Sequence, residues 1–490
     1  MKKWVMWSGA AAVALVGTVA VRTATFKPDA VGDGSGITVA PAPAIDTQAA
    51  AQHLSAAIQI QTISHQDPAE DQVAEWDKLH AWLASTYPKA HAAMQKETLG
   101  KTLLFTWPGS DPTAQPIIVM AHQDVVPVTP GTEKDWKHAP FAGTIADGAV
   151  WGRGTIDDKG SLVALFEAME ALAAQGFKPK RTVILVSGHD EEVGGTGAAA
   201  VAKVLAARKV KALFTIDEGG VISTDTPMIN GPAALIGIAE KGYATLRVTA
   251  NAPGGHSSAP PPVNEIGSVN LSKAVLAITH KPFPSELRGP AVGMVSVLAA
   301  KAGGMSKMAV ANRWLFGGLV MSQMAESPAS AAMLHTTIAP TMLTGSPKEN
   351  VLPQSATALI NYRIAPWNSS KDVLERAREA TKGLPVQVDW TERKPGEPSP
   401  VSSTSSPGWN LITATAKADR PDLVVSPYLM VAGTDSKHMV GVSDDVYRFM
   451  PVSLATSDIK MIHGTNEHMT LANLESMIRF YARLIATAAG

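Results

Sequence analysis

Three short apolar segments constrain this chain more than anything else in it. Residues 116–120 (PIIVM), 182–187 (TVILVS) and 212–216 (ALFTI) are nearly continuous in Val, Ile, Leu and Phe. A strand with one wet face alternates apolar and polar residues. A strand apolar throughout is covered on both faces, as in a parallel sheet between two layers of helices. Helical patterns separate these segments: residues 161–177 repeat apolar side chains at helical spacing, and 197–209 are Ala-rich. The expected fold is therefore α/β, a mostly parallel sheet flanked by helices. Such sheets place their sites in loops beyond the strand carboxyl ends. The polar clusters fall there: His122-Gln123-Asp124 after the first strand, Asp190-Glu191-Glu192 after the second, Asp217-Glu218 after the third.

The pattern changes after residue 241. Residues 243–250 and 355–364 alternate, as strands with one exposed face do, and 385–390 read as a further strand. Helical patterns cover 267–280 and 371–382, and the Met- and Ala-rich stretch 303–335 also reads as helical. At 490 residues the chain exceeds the size at which one core keeps growing. The expected organisation is a first domain over 44–241, an inserted α+β lid or dimerisation domain over 242–394, and a return to the first domain over 395–490. A helix is expected from about residue 47, with Asp46 or Thr47 as its N-cap.

The N-terminus reads as an address. Two lysines precede an uncharged, mostly apolar run over 4–21, closed by Arg22. Its 18 residues exceed a signal-peptide core of about 7–15 and reach the transmembrane range of about 17–25. The expectation for 1–27 is a secretory signal or an uncleaved membrane anchor, with the body exported to a periplasmic or extracellular space. Residues 28–43, rich in Gly, Pro, Asp and Ala, read as a linker.

Composition excludes several classes. With 42 Lys+Arg against 43 Asp+Glu there is no basic footprint for nucleic acid. Cys is absent, which excludes disulfides, thiolate metal sites and a cysteine nucleophile, so any metal must be held by His, Asp and Glu. No G-x-S-x-G and no H-E-x-x-H occurs, against a serine hydrolase elbow and a mononuclear zinc-protease helix.

The remaining polar clusters suit metal chemistry. His122 and Asp124, two apart at a strand end, share a face, so one can ligate while the other fixes its second ring nitrogen. Asp157 and Asp158 sit in WGRGTIDDKG, a Gly-braced turn leading into a helix; one can bridge two ions or cap that helix. Glu191 and Glu192 can diverge, one onto metal and one onto water. Asp217 or Glu218 supplies another carboxylate. His463 offers a second imidazole, with His468 competing. A set of His, bridging Asp, Glu, Asp and His, with a spare Glu, suits two Zn²⁺ ions and amide hydrolysis.

The ordered motifs AHQDVVPV, WGRGTIDDKG, GHDEEVGG, DEGG, GGHSSAP, NVLP, NYR, GTDSKH and HGTNE resemble the co-catalytic zinc peptidases that include aminoacylases, carboxypeptidase S and acetylornithine deacetylase. The resemblance spans about residues 50–490 and is strongest to the carboxypeptidase S and N-acyl-amino-acid hydrolase branch. It implies two zinc ions, replaceable by Co²⁺ or Mn²⁺, held by His122, Asp157, Glu192, Asp217 and His463. It implies Glu191 as the general base, taking a proton from a bridging water, and Asp124 as the group that orients His122. It also implies that His256 stabilises the oxyanion, from a second subunit in dimeric relatives, and that Asn350, Arg363 and Gly433 hold the substrate carboxylate. The substrate would be a small peptide or an N-acyl amino acid, and the chain a monomer or a homodimer through 242–394. A non-enzymatic binding protein on the same fold is the alternative, which the complete ligand set disfavours.

Overall fold

A computed structural model describes residues 2–28, 31–391 and 395–490, with side chains from residue 12 onward. The three anticipated strands lie side by side in one sheet, ordered Val183–Ser187, Ile117–Met120, Phe214–Asp217, and all parallel. Val446–Arg448 continues the parallel pairing beyond Phe214–Asp217. Gln95–Leu99 and Thr102–Trp107 extend the other edge antiparallel. Gly231–Glu240, Ile222–Thr226, Ser453–Leu454 and Val424–Met430 complete the sheet.

Strand alternation explains why these segments are apolar throughout. Ile117 and Val119, with Val183 and Leu185, face one core with the helices Thr47–Gln59, Lys159–Ala174 and Leu471–Ala489. Ile118 and Met120, with Ile184 and Val186, face a second core under the helix Thr196–Ala207. Successive side chains of a strand point to opposite faces, so a sheet covered on both sides must be apolar at every position. Asp46 caps the first of these helices, accepting the Gln48 and Ala49 N–H groups.

Past Lys241 the chain enters an antiparallel sheet ordered Thr337–Thr344, Ser355–Ile364, Gly242–Asn251, Gln387–Trp390. Leu246, Val248, Ala358 and Ile360 bury one of its faces, sharing a separate core with Leu271, Ile278 and Val373 of the helices Gly267–Thr279 and Ser370–Ala380. Ser355–Ile364 and Gly242–Asn251 show the alternation read from the sequence. Thr337–Thr344 was not legible there, because as an exposed edge strand it carries no buried stripe. Residues 303–335 form the helices Gly304–Ala311, Arg313–Met324 and Pro328–Ala332. The expected boundary at 394 falls on residues 392–394, outside the described residues.

The N-terminal run forms the helix Lys2–Thr25. Part of the expected anchor falls on residues 1–11, whose side chains lie outside the described residues. Among the described residues no helix is long and apolar enough to cross a membrane. The segment after it, apart from Asp29 and Ala30, which lie outside the described residues, packs on the body instead of hanging free. Gly32 donates its N–H to Thr404 O and accepts Trp409 Nε1 at 2.7 Å. A side chain at Gly34, where φ is +73°, would collide with the backbone of Ala414.

Candidate active site

The parallel strands deliver their polar ends to one side of the sheet. His122 follows Ile117–Met120 and is buried. Its Nδ1 lies 3.0 Å from Asp124 O and 3.2 Å from Asp124 Oδ1, which fixes the ring and leaves Nε2 facing the Gly-braced turn. There Nε2 meets Asp157 Oδ1 at 2.9 Å. The other oxygen of Asp157, Oδ2, meets His463 Nε2 at 3.0 Å. One carboxylate thus lies between two imidazoles drawn from positions 122 and 463.

A third donor stands beside each imidazole. Glu218 joins His122 and Asp157 in a group whose donor atoms lie within 4.8 Å of one another, and Glu192 joins Asp157 and His463 in a second such group. The two groups share Asp157. Glu192 Oε2 lies 3.1 Å from His463 Nε2, while its buried Oε1 has no hydrogen-bond partner among the described residues. Oxygen and imidazole donors in triplets around a shared carboxylate fit divalent ions of the zinc type.

Among the described residues Glu218, not Asp217, stands in the His122 group. Asp217 is the last residue of its strand, and its Oδ2 accepts the Ser436 N–H at 2.9 Å. Strand alternation turns its neighbour Glu218 the other way, toward His122 Nε2 at 4.0 Å.

The surrounding carboxylates do structural work. Asp124 is fully buried; it accepts Ser64 Oγ at 2.6 Å and the backbone N–H groups of Glu191 and Glu192, each at 3.1 Å. It therefore positions the acidic turn as well as His122. Asp158 begins the helix Lys159–Ala174 without capping it; its Oδ2 accepts the His122 N–H at 3.1 Å. Glu467 is fully buried and was not singled out from the sequence. It pairs with Arg153 Nη1 at 2.7 Å and accepts the N–H groups of Gly154, Ile156 and Asp157. The only sequence signal for it was an acid and an arginine embedded in the two Gly-containing motifs, HGTNE and WGRG. His468 stacks on Trp151 and lies outside both donor groups.

The electrostatics follow from packing these acids together. Burial lifts the carboxyl of Glu218 well above the usual range, and the charges of Asp157 and Asp158 lift it further. Burial likewise pushes Glu191 well up, with Asp435 and Glu192 adding to it. Hydrogen bonds to Asp157 and Glu192 raise His463 to about 10. Burial disfavours charge on His122, but Asp124 and Asp157 outweigh it and hold that ring well above its ordinary value.

The remaining expected residues lie in two places. Arg363, paired across the strands with Tyr243, stacks on its ring at 4.7 Å. Gly433 precedes Thr434, whose N–H is accepted by Glu240, so both border the corner at Glu240 and Lys241. His256 and Asn350 lie together where Gly255–His256 pairs antiparallel with Val351–Leu352, and Asn350 O accepts the Ser257 N–H. His256 is exposed, its ring against Ser258, and it does not join the donor groups. A cavity of about 690 Å³ opens beside His463, walled by Arg153, Lys460 and His468 among others.

Comparison with known proteins agrees with this geometry. Residues 118–487 match the model of peptidase family M20/M25/M40. A carboxypeptidase S-like protein of Dictyostelium discoideum is 34% identical over 89% of this chain and 84% of its own length. The human N-fatty-acyl-amino acid synthase/hydrolase PM20D1 is 36% identical over 79% of this chain and 76% of its own length. The crystal structure of an M20 family metallo-carboxypeptidase from Sulfolobus solfataricus superposes with a TM-score of 0.65 at 17% identity, covering 91% of this chain and 99% of that one, and shares the fold. The chain belongs to peptidase family M20/M25/M40, and its donor groups are those of a metal-dependent hydrolase.

Proposed function

We propose that this enzyme hydrolyses the amide bond between an acyl or aminoacyl group and an amino acid bearing a free carboxylate, using two zinc ions. The observation that carries the reading is Asp157 between His122 and His463, with Glu218 and Glu192 as the third donors on either side. The relatives named as carboxypeptidase S-like and as an N-fatty-acyl-amino acid synthase/hydrolase support the substrate class.

Bound at these residues, the ions supply Lewis-acid polarisation and charge neutralisation. The chain's own side chains do the rest. Glu191 is the general base: its raised affinity for protons suits a group that takes a proton from water and returns it to the departing amine. Asp124 holds Glu191 by its backbone while orienting His122. Arg363 receives the substrate carboxylate, for which a planar guanidinium is shaped; its pose on Tyr243 keeps the guanidinium flat and oriented. Gly433 borders that subsite, and Asn350, which lies beside His256, joins it from the second copy.

Residues 242–394 act as a lid and dimerisation domain, and His256 reaches the reacting carbonyl from a second copy. Its exposure and its distance from the donor groups support that assignment, as do Met342 and Leu343, exposed on the edge strand. The N-terminal helix directs export. The decisive test pairs metal analysis of the purified protein with a hydrolysis panel of dipeptides and of short- and long-chain N-acyl amino acids. Two zinc ions per chain with turnover of one of these classes is expected. One ion per chain, or turnover unaffected by chelation, would overturn the reading.

A further inference from the structure

We propose that the outer face of the helices Gly304–Ala311 and Arg313–Met324, together with the adjoining end of the N-terminal helix, is a docking surface for an anionic lipid bilayer. The helix Arg313–Met324 is apolar on both sides. Val320 and Met324 bury one side against Val310, Met333 and Leu334. The opposite side carries Trp314, Leu315 and Leu319, which are 55%, 45% and 57% exposed. A surface helix ordinarily turns charged and polar residues outward. Met305 on the preceding helix is 81% exposed.

The N-terminal helix is joined to this face. Arg22 Nε donates to Ala311 O at 3.3 Å, and Asn312 Nδ2 donates to Val19 O and Thr23 Oγ1. Phe26 packs on the cluster that contains Val320 and Met324. Val13, Val16 and Val21 of the same helix are exposed. The two joined elements therefore each expose apolar side chains, more than the single exposed side chains that need no explanation.

Charge identifies the occupant. Residues 12–28 and 289–325 contain Arg22, Lys27, Lys301, Lys307 and Arg313 and no Asp or Glu; Arg288 just before is paired with Glu286, and Asp29 and Glu326 follow the two stretches, so the face keeps a net positive charge. Two copies meeting through this face would bring like charges together, because a two-fold interface presents the same patch to itself. An anionic lipid surface complements both the cations and the Trp and Leu side chains, the combination by which interfacial helices sit at the headgroup level. This is attachment in the plane of the interface and needs no spanning helix.

The chain has no cysteine, so Leu315→Cys in the full-length protein gives a unique position for a polarity-sensitive fluorophore. The same label at Ile145→Cys, exposed on the strand Thr144–Ala146, is the control. With vesicles of phosphatidylcholine and phosphatidylglycerol, the label at 315 should shift to the blue, and the shift should shrink as salt is added. The control label should not move. Trp314→Ser/Leu319→Ser should lower vesicle partitioning by about tenfold or more. Three outcomes overturn the proposal: no vesicle binding, binding with the label at 315 unmoved, or a lipid-independent shift that grows with protein concentration, which would make the face a contact between copies.

Discussion

Glu467 accepts the backbone N–H of Asp157 at 3.1 Å, so the residue that bridges the two imidazoles is held by an acid only four positions beyond one of them. Glu467 also neutralises Arg153, and both are buried. Glu467→Ala strands a buried guanidinium and leaves three backbone donors without an acceptor. A loss of about 3–5 kcal/mol is expected, read as a lower denaturation midpoint in the metal-free protein. Glu467→Gln keeps acceptor oxygen at the same place and should fall between the two.

Asp124 ties together the ring of His122 and the turn that carries Glu191 and Glu192. Its removal should therefore weaken metal binding and catalysis together. Asp124→Ala is expected to lower metal affinity by about 10- to 100-fold, measured by competition with a chelator. Turnover at saturating metal should remain depressed, because the base is no longer held.

Glu191 stands in neither donor group. Glu191→Gln should keep the full metal content while lowering kcat by about 10²- to 10⁴-fold. Metal analysis and steady-state kinetics on the same preparation check both halves. Loss of metal in step with activity would reassign Glu191 as a ligand.

The two adjacent acids at the end of the strand Phe214–Asp217 divide their work. Glu218 faces His122, whereas Asp217 accepts the Ser436 N–H. Glu218→Ala should reduce the bound metal by one ion per chain. Asp217→Asn should retain both ions and show its effect in stability. The opposite pattern would return Asp217 to the ligand set.

His463 in the metal-free protein is raised to about 10 by Asp157 and Glu192. A raised imidazole contributes stability in full below its unfolded value near 6.5, and that contribution is lost as pH climbs through about 10. A metal ion must displace this proton. Uptake at the His463 side should therefore tighten by about tenfold per pH unit between those values, with one proton released per ion. Calorimetry in buffers of different ionisation enthalpy counts the protons. His463→Gln should abolish the dependence.

The three central strands, the helices between them and the acidic clusters at the strand ends were legible in the sequence, because each is local: a doubly covered strand must be apolar at every position, and its polar end must follow it. Motif order carried the pairing of His122, Asp157, Glu192 and His463. Other features depended on contacts between distant segments. That Asp217 accepts the N–H of Ser436, 219 positions away, while Glu218 faces His122, was not legible in the sequence. Glu467 looked like one acid among many until Arg153 and three N–H groups converged on it from over 300 residues upstream. The packing of the linker after the N-terminal helix was not legible, because nothing local shows that Trp409 and Thr404 lie against it. Hydrogen bonding and burial depend on which atoms meet in space, and only the folded chain brings those atoms together.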